Sequence, residues 1–315
     1  MQNLIIFGKI TPEMDAQLGA EFLLNYIDDL DDPKTWLKEH GASFKYALSS
    51  GHAGIKPEFM NSLTGLKIIS NYSVGYEAIN IPLIQQRGII VTHTPNVLNA
   101  ETSTTAIMLL LACYRDFNFN EAHARSGRWE QGKAPLSRSA DNRTIGILGL
   151  GRIGQAIADK LMPFNARVLY HGRSKKDVPY EFFDNLQNMA QVADALICIT
   201  TGGPETKHIV NKAVLEALGP EGVLINVSRG SVVDETAMIE CLEDGRLGWA
   251  GLDVFENEPN IPERLKALSN TVLTPHIGSA THETRAAMGK LAVDNLIQFL
   301  KTGTVKTAIP ECADF

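Results

Sequence analysis

The stretch "TIGILGLGRIGQAIADKLMPF", residues 144–164, passes from an apolar, β-branched run through Gly149, Gly151 and Gly154 into a helix-like segment. The glycines have the spacing GxGxxG. With 26 glycines in 315 residues, chance alone writes that pattern about 0.2 times per chain, so its flanks must decide. A strand before it and a helix after it are what a phosphate-cradling turn needs. Gly149 permits the tight turn, Gly151 lets a pyrophosphate approach the backbone, and Gly154 lets the helix pack against the strand. The first N–H groups of the helix then face the phosphates. The alternative is a tight strand-to-helix turn that binds nothing.

The next strand, "RVLYHG" at 167–172, runs into "HGRSKKD". Dinucleotide sites for NAD usually place an acid at this strand tip, to accept from the ribose 2′-hydroxyl. Here Arg173, Ser174, Lys175 and Lys176 stand instead. A 2′-phosphate brings about two negative charges, which a guanidinium clamps with paired hydrogen bonds. NADP is therefore the expected cofactor, with NAD possible. A solvated basic loop is the competing explanation.

Outward from this unit, short β-branched runs alternate with helix-like segments along most of the chain. Residues 3–8, 22–27, 46–50, 67–72 and 89–95 read as strands, and the segments between them open at prolines and close at glycines. Strand–helix alternation implies parallel sheets covered by helices. A long helical stretch at about 100–128 breaks the rhythm. A second alternating series follows from 144 to 275, and a final helix is expected at 285–303. The fold class is α/β, with two parallel-sheet units.

Composition narrows the function. A net charge of −7 disfavours a nucleic-acid or membrane-surface role. The opening "NLIIFG" is too short for a signal-peptide core. The apolar run 106–113 falls well short of the roughly 20 residues of a membrane span. Cys113, Cys198, Cys241 and Cys312 show no CxxC pairing, so buried, reduced thiols in the cytoplasm are expected and no metal site is.

Three residues of the second series follow strands at their carboxyl ends: Arg229 after "VLINVS", Glu258 after "WAGLDVF", and His276 after "TVLT". Open α/β sheets bind ligands on that rim. Each residue alone is as well explained as structure. Together, beside a nicotinamide, they suit reduction of a carbonyl next to a carboxylate. Hydride delivery builds negative charge on oxygen. His276 can donate the proton that quenches it. Glu258 would favour imidazolium and hold the ring, and Arg229 would clamp the carboxylate and polarise the carbonyl.

The segments "SNYSVGYEAINIPLIQQRGIIVTHTPNVL", "RTIGILGLGRIGQAIA", "PETKHIVN", "LINVSRGSVVDETAMIECLEDGRLGWAGLDVFENEP" and "LTPHIGSAT" span nearly the whole length. On these the chain resembles the D-isomer-specific 2-hydroxyacid dehydrogenases. The resemblance implies that Arg229, Glu258 and His276 are the catalytic set. It implies that Val74 and Gly75 offer backbone amides to the substrate carboxylate and that Asp253 approaches the nicotinamide amide. Arg152 and Ile153 would lie on the pyrophosphate, with Thr200, Thr201 and Val227 lining the cofactor cleft. It further implies a Rossmann cofactor domain, residues 99–287, inserted in a flavodoxin-like substrate domain, residues 1–98 plus 288–315, both doubly wound. The helix near 100–128 would belong to a homodimer interface, with Trp129 reaching the partner's site.

Within the family, Glu258 argues against formate dehydrogenase, which resembles the rest but has glutamine there. The length leaves no room for the regulatory domain that phosphoglycerate dehydrogenases often carry. The basic loop is most similar to that of NADPH-dependent glyoxylate/hydroxypyruvate reductases, acting on a small 2-keto acid. Specificity is expected in 49–55, where His52 could contact a polar substrate or face solvent. D-lactate-type and short phosphoglycerate-type dehydrogenases remain alternatives, as does a dinucleotide-sensing interaction protein without turnover.

Overall fold

Two all-parallel sheets organise the chain, which is described at residues 1–50 and 54–312 of a computed structural model. They belong to two units, Met1–Leu98 with His282–Phe315, and Asn99–Thr281.

The first unit holds β1 (Gln2–Phe7), β2 (Phe22–Tyr26), β3 (Tyr46–Ser50), β4 (Ile68–Tyr72) and β5 (Ile90–Thr92). Their spatial order is β2-β1-β3-β4-β5, a flavodoxin-like winding. The helices between them start where the sequence marks a start. Thr11, Asp32 and Asn80 each accept a hydrogen bond from the first turn, and a proline sits in that turn each time. Strand residues alternate between two buried faces. Ile5, Phe7, Ala47, Ile69 and Val91 join one apolar cluster, while Leu4, Ile6, Leu48 and Ile68 are buried on the other side.

The long final helix, His282–Thr302, lies on β4. The Tyr72 hydroxyl donates to the Arg285 carbonyl at 3.1 Å, and the Ser70 hydroxyl donates to the Ala292 carbonyl at 2.9 Å. The return to the first unit therefore falls at His282, ahead of the expected 288, because an unbroken helix already grips this sheet from its first turns. Residues 307–312 then close the β5 edge. Ile309 N donates to Val91 O at 2.9 Å, and His93 N donates to Thr307 O at 3.1 Å.

The second unit holds β6 (Thr144–Leu148), β7 (Arg167–His171), β8 (Glu181–Phe183), β9 (Ala195–Cys198), β10 (Val223–Asn226), β11 (Trp249–Leu252) and β12 (Thr271–Leu273). The order β12-β11-β10-β9-β6-β7-β8 is a doubly wound Rossmann arrangement with its reversal between β6 and β9. Ile145, Ile147, Ile197 and Ile225 face one cluster, and Leu169, Leu196, Cys198 and Leu224 face another, so helices cover both sides.

The helix expected over 100–128 is in fact two, Asn99–Tyr114 and Phe117–Arg125, followed by a 3₁₀ turn at Arg128–Glu130. The break is at Asp116, whose backbone is left-handed (φ +46°) and whose carboxylate accepts the Trp249 indole N–H at 3.2 Å. A contact with a residue more than a hundred positions later ends the helix, and no glycine or proline marks it. None of the side chains in 117–125 is buried.

Candidate active site

The glycine turn sits at the reversal of strand order. Gly149 has φ +100°, and a methyl group there would lie 2.8 Å from Thr200 N and 2.9 Å from Thr200 Cα. A methyl on Gly154 would collide with the Gly149 carbonyl oxygen. Packing therefore accounts for both residues. It does not account for Gly151, where a methyl would meet nothing within 4 Å. Gly151 is the N-cap of Arg152–Leu161, and no side chain caps that helix. A helix start without a side-chain cap, reached through a glycine that the fold does not require, fits a bound pyrophosphate.

The remaining cofactor candidates follow the strands β6, β7, β9 and β10. Arg152 and Ile153 open the helix. Thr200 touches Gly149, Thr201 O accepts the Thr206 hydroxyl at 2.7 Å, and Val227 N donates to Cys198 O at 3.2 Å. Arg173, Ser174 and Lys175 are exposed in the loop after β7.

Two further loops bring the acid and the histidine together. His276 Nδ1 lies 2.7 Å from Glu258 Oε2, and Phe255 N donates to the other carboxylate oxygen at 3.0 Å. Glu258 is thus held at both oxygens, one by its own loop and one by the imidazole. The two side chains keep 29% and 24% of their surface, shielded enough for the bond to matter and open enough for a small substrate to reach the ring.

His276 itself has a left-handed backbone (φ +53°), a conformation that β-carbon-bearing residues seldom adopt without support. Asp253 provides that support. Its Oδ1 accepts from Ile277 N and from the Thr274 hydroxyl, and its Oδ2 accepts from Gly278 N, each at 2.7 Å. Asp253 is 1% exposed, so these three bonds fix the turn that carries the imidazole. Sequence reading assigned Asp253 only a nicotinamide contact. Its anchoring of residues 274–278 is visible only once β11 and β12 lie side by side. Asp253→Asn replaces an acceptor oxygen by a donor that faces N–H groups. We expect kcat to fall about 10²-fold, since small misplacements of a catalytic group cost that much. Steady-state kinetics checks this.

Arg229 follows β10, and its guanidinium donates to the Ser228 carbonyl at 2.7 Å. Its own carbonyl accepts from the buried Asn226 amide at 3.0 Å. A methyl on the next residue, Gly230, would overlap the Phe255 carbonyl and the Glu256 nitrogen. The arginine turn therefore rests directly on the loop that bears Glu258.

A second acid–histidine pair braces the same loop, and sequence reading passed over it although His208 lies in the quoted "PETKHIVN". His208 Nε2 lies 2.8 Å from Glu256 Oε1, and Glu256 N donates to Glu235 Oε2 at 3.1 Å. Burial pushes the Glu235 carboxyl above the usual glutamate range, against the lowering effect of that hydrogen bond. The folded chain then holds the proton more tightly than the unfolded chain, so Glu235 favours folding at low pH and opposes it as pH rises. Glu235→Gln keeps an oxygen for the Glu256 amide. The variant should melt above the parent at about pH 8, with the gap closing towards about pH 4, as thermal denaturation across pH will test.

Other candidates lie elsewhere. Val74 and Gly75 belong to the first unit, where His93 Nδ1 contacts Val74 O at 3.1 Å and the Asn71 amide donates to Gly75 O at 2.8 Å. His52 lies outside the described residues. Trp129 is 70% exposed on the 3₁₀ turn. All four cysteines are buried and free. Among the described residues, no helix is long and apolar enough to cross a membrane.

Residues 107–278 match the D-isomer specific 2-hydroxyacid dehydrogenase, NAD binding domain. The chain belongs to that family. It is an oxidoreductase of the 2-hydroxyacid dehydrogenase class. Glyoxylate/hydroxypyruvate reductase A HPR2 of Arabidopsis thaliana is 42% identical over 295 residues, covering 93% of this chain and 94% of the relative. The 2-ketogluconate reductase of Gluconobacter oxydans is 36% identical, with 98% of each chain covered. Among solved structures, the NADPH-dependent glyoxylate/hydroxypyruvate reductase of Sinorhizobium meliloti, in complex with NADP and malonate, superimposes with a TM-score of 0.93. It is 40% identical, with 99% of this chain and 97% of that one covered.

Proposed function

We propose that the protein reduces a small 2-keto acid of the glyoxylate/hydroxypyruvate type to the D-2-hydroxy acid, with NADPH as hydride donor. The observation that carries this is the 2.7 Å contact between His276 and a carboxylate already anchored to its own loop. With Nδ1 in contact with Glu258 the ring is oriented, and Nε2 is the proposed donor of the proton to the carbonyl oxygen. Arg229 binds the substrate carboxylate and polarises the adjoining carbonyl. Val74 and Gly75 of the first unit are proposed to present backbone N–H donors to a carboxylate. The bound nicotinamide supplies the hydride. Arg173, Ser174 and Lys175 hold the 2′-phosphate, which favours NADPH while leaving NADH usable. Asp253 is proposed to face the carboxamide of the cofactor as well as to anchor the His276 turn.

Relatives named for glyoxylate, hydroxypyruvate and 2-ketogluconate differ in side chain beyond one shared 2-keto acid, which supports the reaction class ahead of any single substrate. The test is a kinetic panel of glyoxylate, hydroxypyruvate, pyruvate and 2-ketogluconate against NADPH and NADH, with chiral analysis of the products from hydroxypyruvate and pyruvate, since glycolate has no stereocentre. Higher kcat/KM with glyoxylate or hydroxypyruvate and NADPH, and a D product, is expected. An L product, or equal or better use of NADH, would overturn the corresponding part.

The same proposal includes a cytoplasmic homodimer. Met108, Phe117, Phe119, Trp129 and Leu136 are exposed within one stretch of chain, an apolar load that a monomer seldom carries in water. Gel filtration at micromolar concentration should give a dimer, and Trp129→Ala should raise the substrate KM if that side chain reaches the partner's site. A monomeric profile would refute both.

A further inference from the structure

We infer that Lys176 is a positioning residue for cofactor choice, tying the basic loop after β7 to the glycine turn; this rests on the NADPH reading above. The loop, residues 172–180, has no regular secondary structure between β7 and β8. Lys176 is gripped at two points. Its backbone N–H donates to the Tyr170 hydroxyl at 2.8 Å, and Tyr170 is 1% exposed and packed on Phe182 with ring centroids 5.3 Å apart. Its ammonium donates to the Leu150 carbonyl at 2.6 Å, inside the glycine turn itself.

Two physical effects follow from the second grip. Arg173, Ser174 and Lys175 immediately precede Lys176 and are exposed. Pinning the chain beside them reduces the conformational freedom they lose on closing around a 2′-phosphate. The Leu150–Gly151 peptide is planar, with its C=O and N–H pointing in opposite directions. An ammonium on the oxygen polarises that unit and strengthens the Gly151 N–H as a donor. Gly151 is the N-cap that packing leaves unexplained. One lysine thereby couples the loop that reads the 2′-phosphate to the turn that holds the pyrophosphate. A lysine that only satisfies a surface carbonyl would do neither.

Dissociation constants for NADPH and NADH, measured by isothermal calorimetry on the full chain and on Lys176→Met, test this. The Met variant keeps the aliphatic stem and loses the charge. Loss of a charged hydrogen bond should raise the NADPH Kd about tenfold or more, and the NADH Kd by about threefold at most. The melting temperature should stay within about 1 °C, and Lys176→Arg should restore most of the discrimination. Equal losses for both cofactors would leave only an effect on the pyrophosphate that both share and overturn the assignment to cofactor choice, as would no change in either Kd. The unmodified protein reports separately on the underlying reading. If it binds NADH as tightly as NADPH, there is no preference for Lys176 to set, and the inference falls with it.

Discussion

His276→Gln should lower kcat by about 10²–10⁴-fold, the contribution of a positioned general acid, while the Kd of the reduced cofactor stays unchanged. Glutamine retains a polar side chain of similar reach but cannot give a proton to a developing alkoxide. The Glu258 carboxylate, still held by Phe255 N at 3.0 Å, then loses its contact with the imidazole. If kcat falls less than tenfold, another group delivers the proton, and the 2.7 Å contact is a structural ion pair only. An unchanged cofactor Kd separates lost chemistry from a collapsed site.

Gly230→Ala should be the most disruptive single methyl in the second unit. It adds a carbon where the Phe255 carbonyl and the Glu256 nitrogen already stand, all of them backbone atoms that cannot swing aside as a side chain does. Overpacking of this kind costs typically 1–3 kcal/mol and more when backbone must move, so a loss of about 3 kcal/mol or more is expected. Because Arg229 precedes the glycine and Glu258 lies a few residues beyond the contact, any protein that still folds should show a sharply raised KM for the keto acid. Thermal denaturation and steady-state kinetics read the two effects. A variant with the parent's Tm and KM would mean that these two segments are not apposed as described.

Much of this was legible in the sequence, for identifiable reasons. Strands buried on both faces show as continuous apolar runs, and helix starts show as Thr11, Asp32 and Asn80 before a proline. Gly149 and Gly154 could be assigned because a tight turn and a close helix approach leave no other residue type. What stayed hidden depends on contacts between distant positions. The break at Asp116 is set by Trp249. β8 is a three-residue edge strand with no alternation to reveal it. The Asp253 anchor needs β11 and β12 side by side before its three bonds exist. Glu258 and His276 are 18 positions apart and were paired from chemistry, not from spacing.

The split make-up of the first unit has a consequence for the order in which the protein comes into being. Asn99–Thr281 is one continuous stretch whose seven strands pair only with one another. The flavodoxin-like sheet, by contrast, waits for residues 282–312 to lay a helix on β4 and a strip along β5. As the chain leaves the ribosome, the inserted unit can therefore fold while the sheet begun before it still shows an open flank.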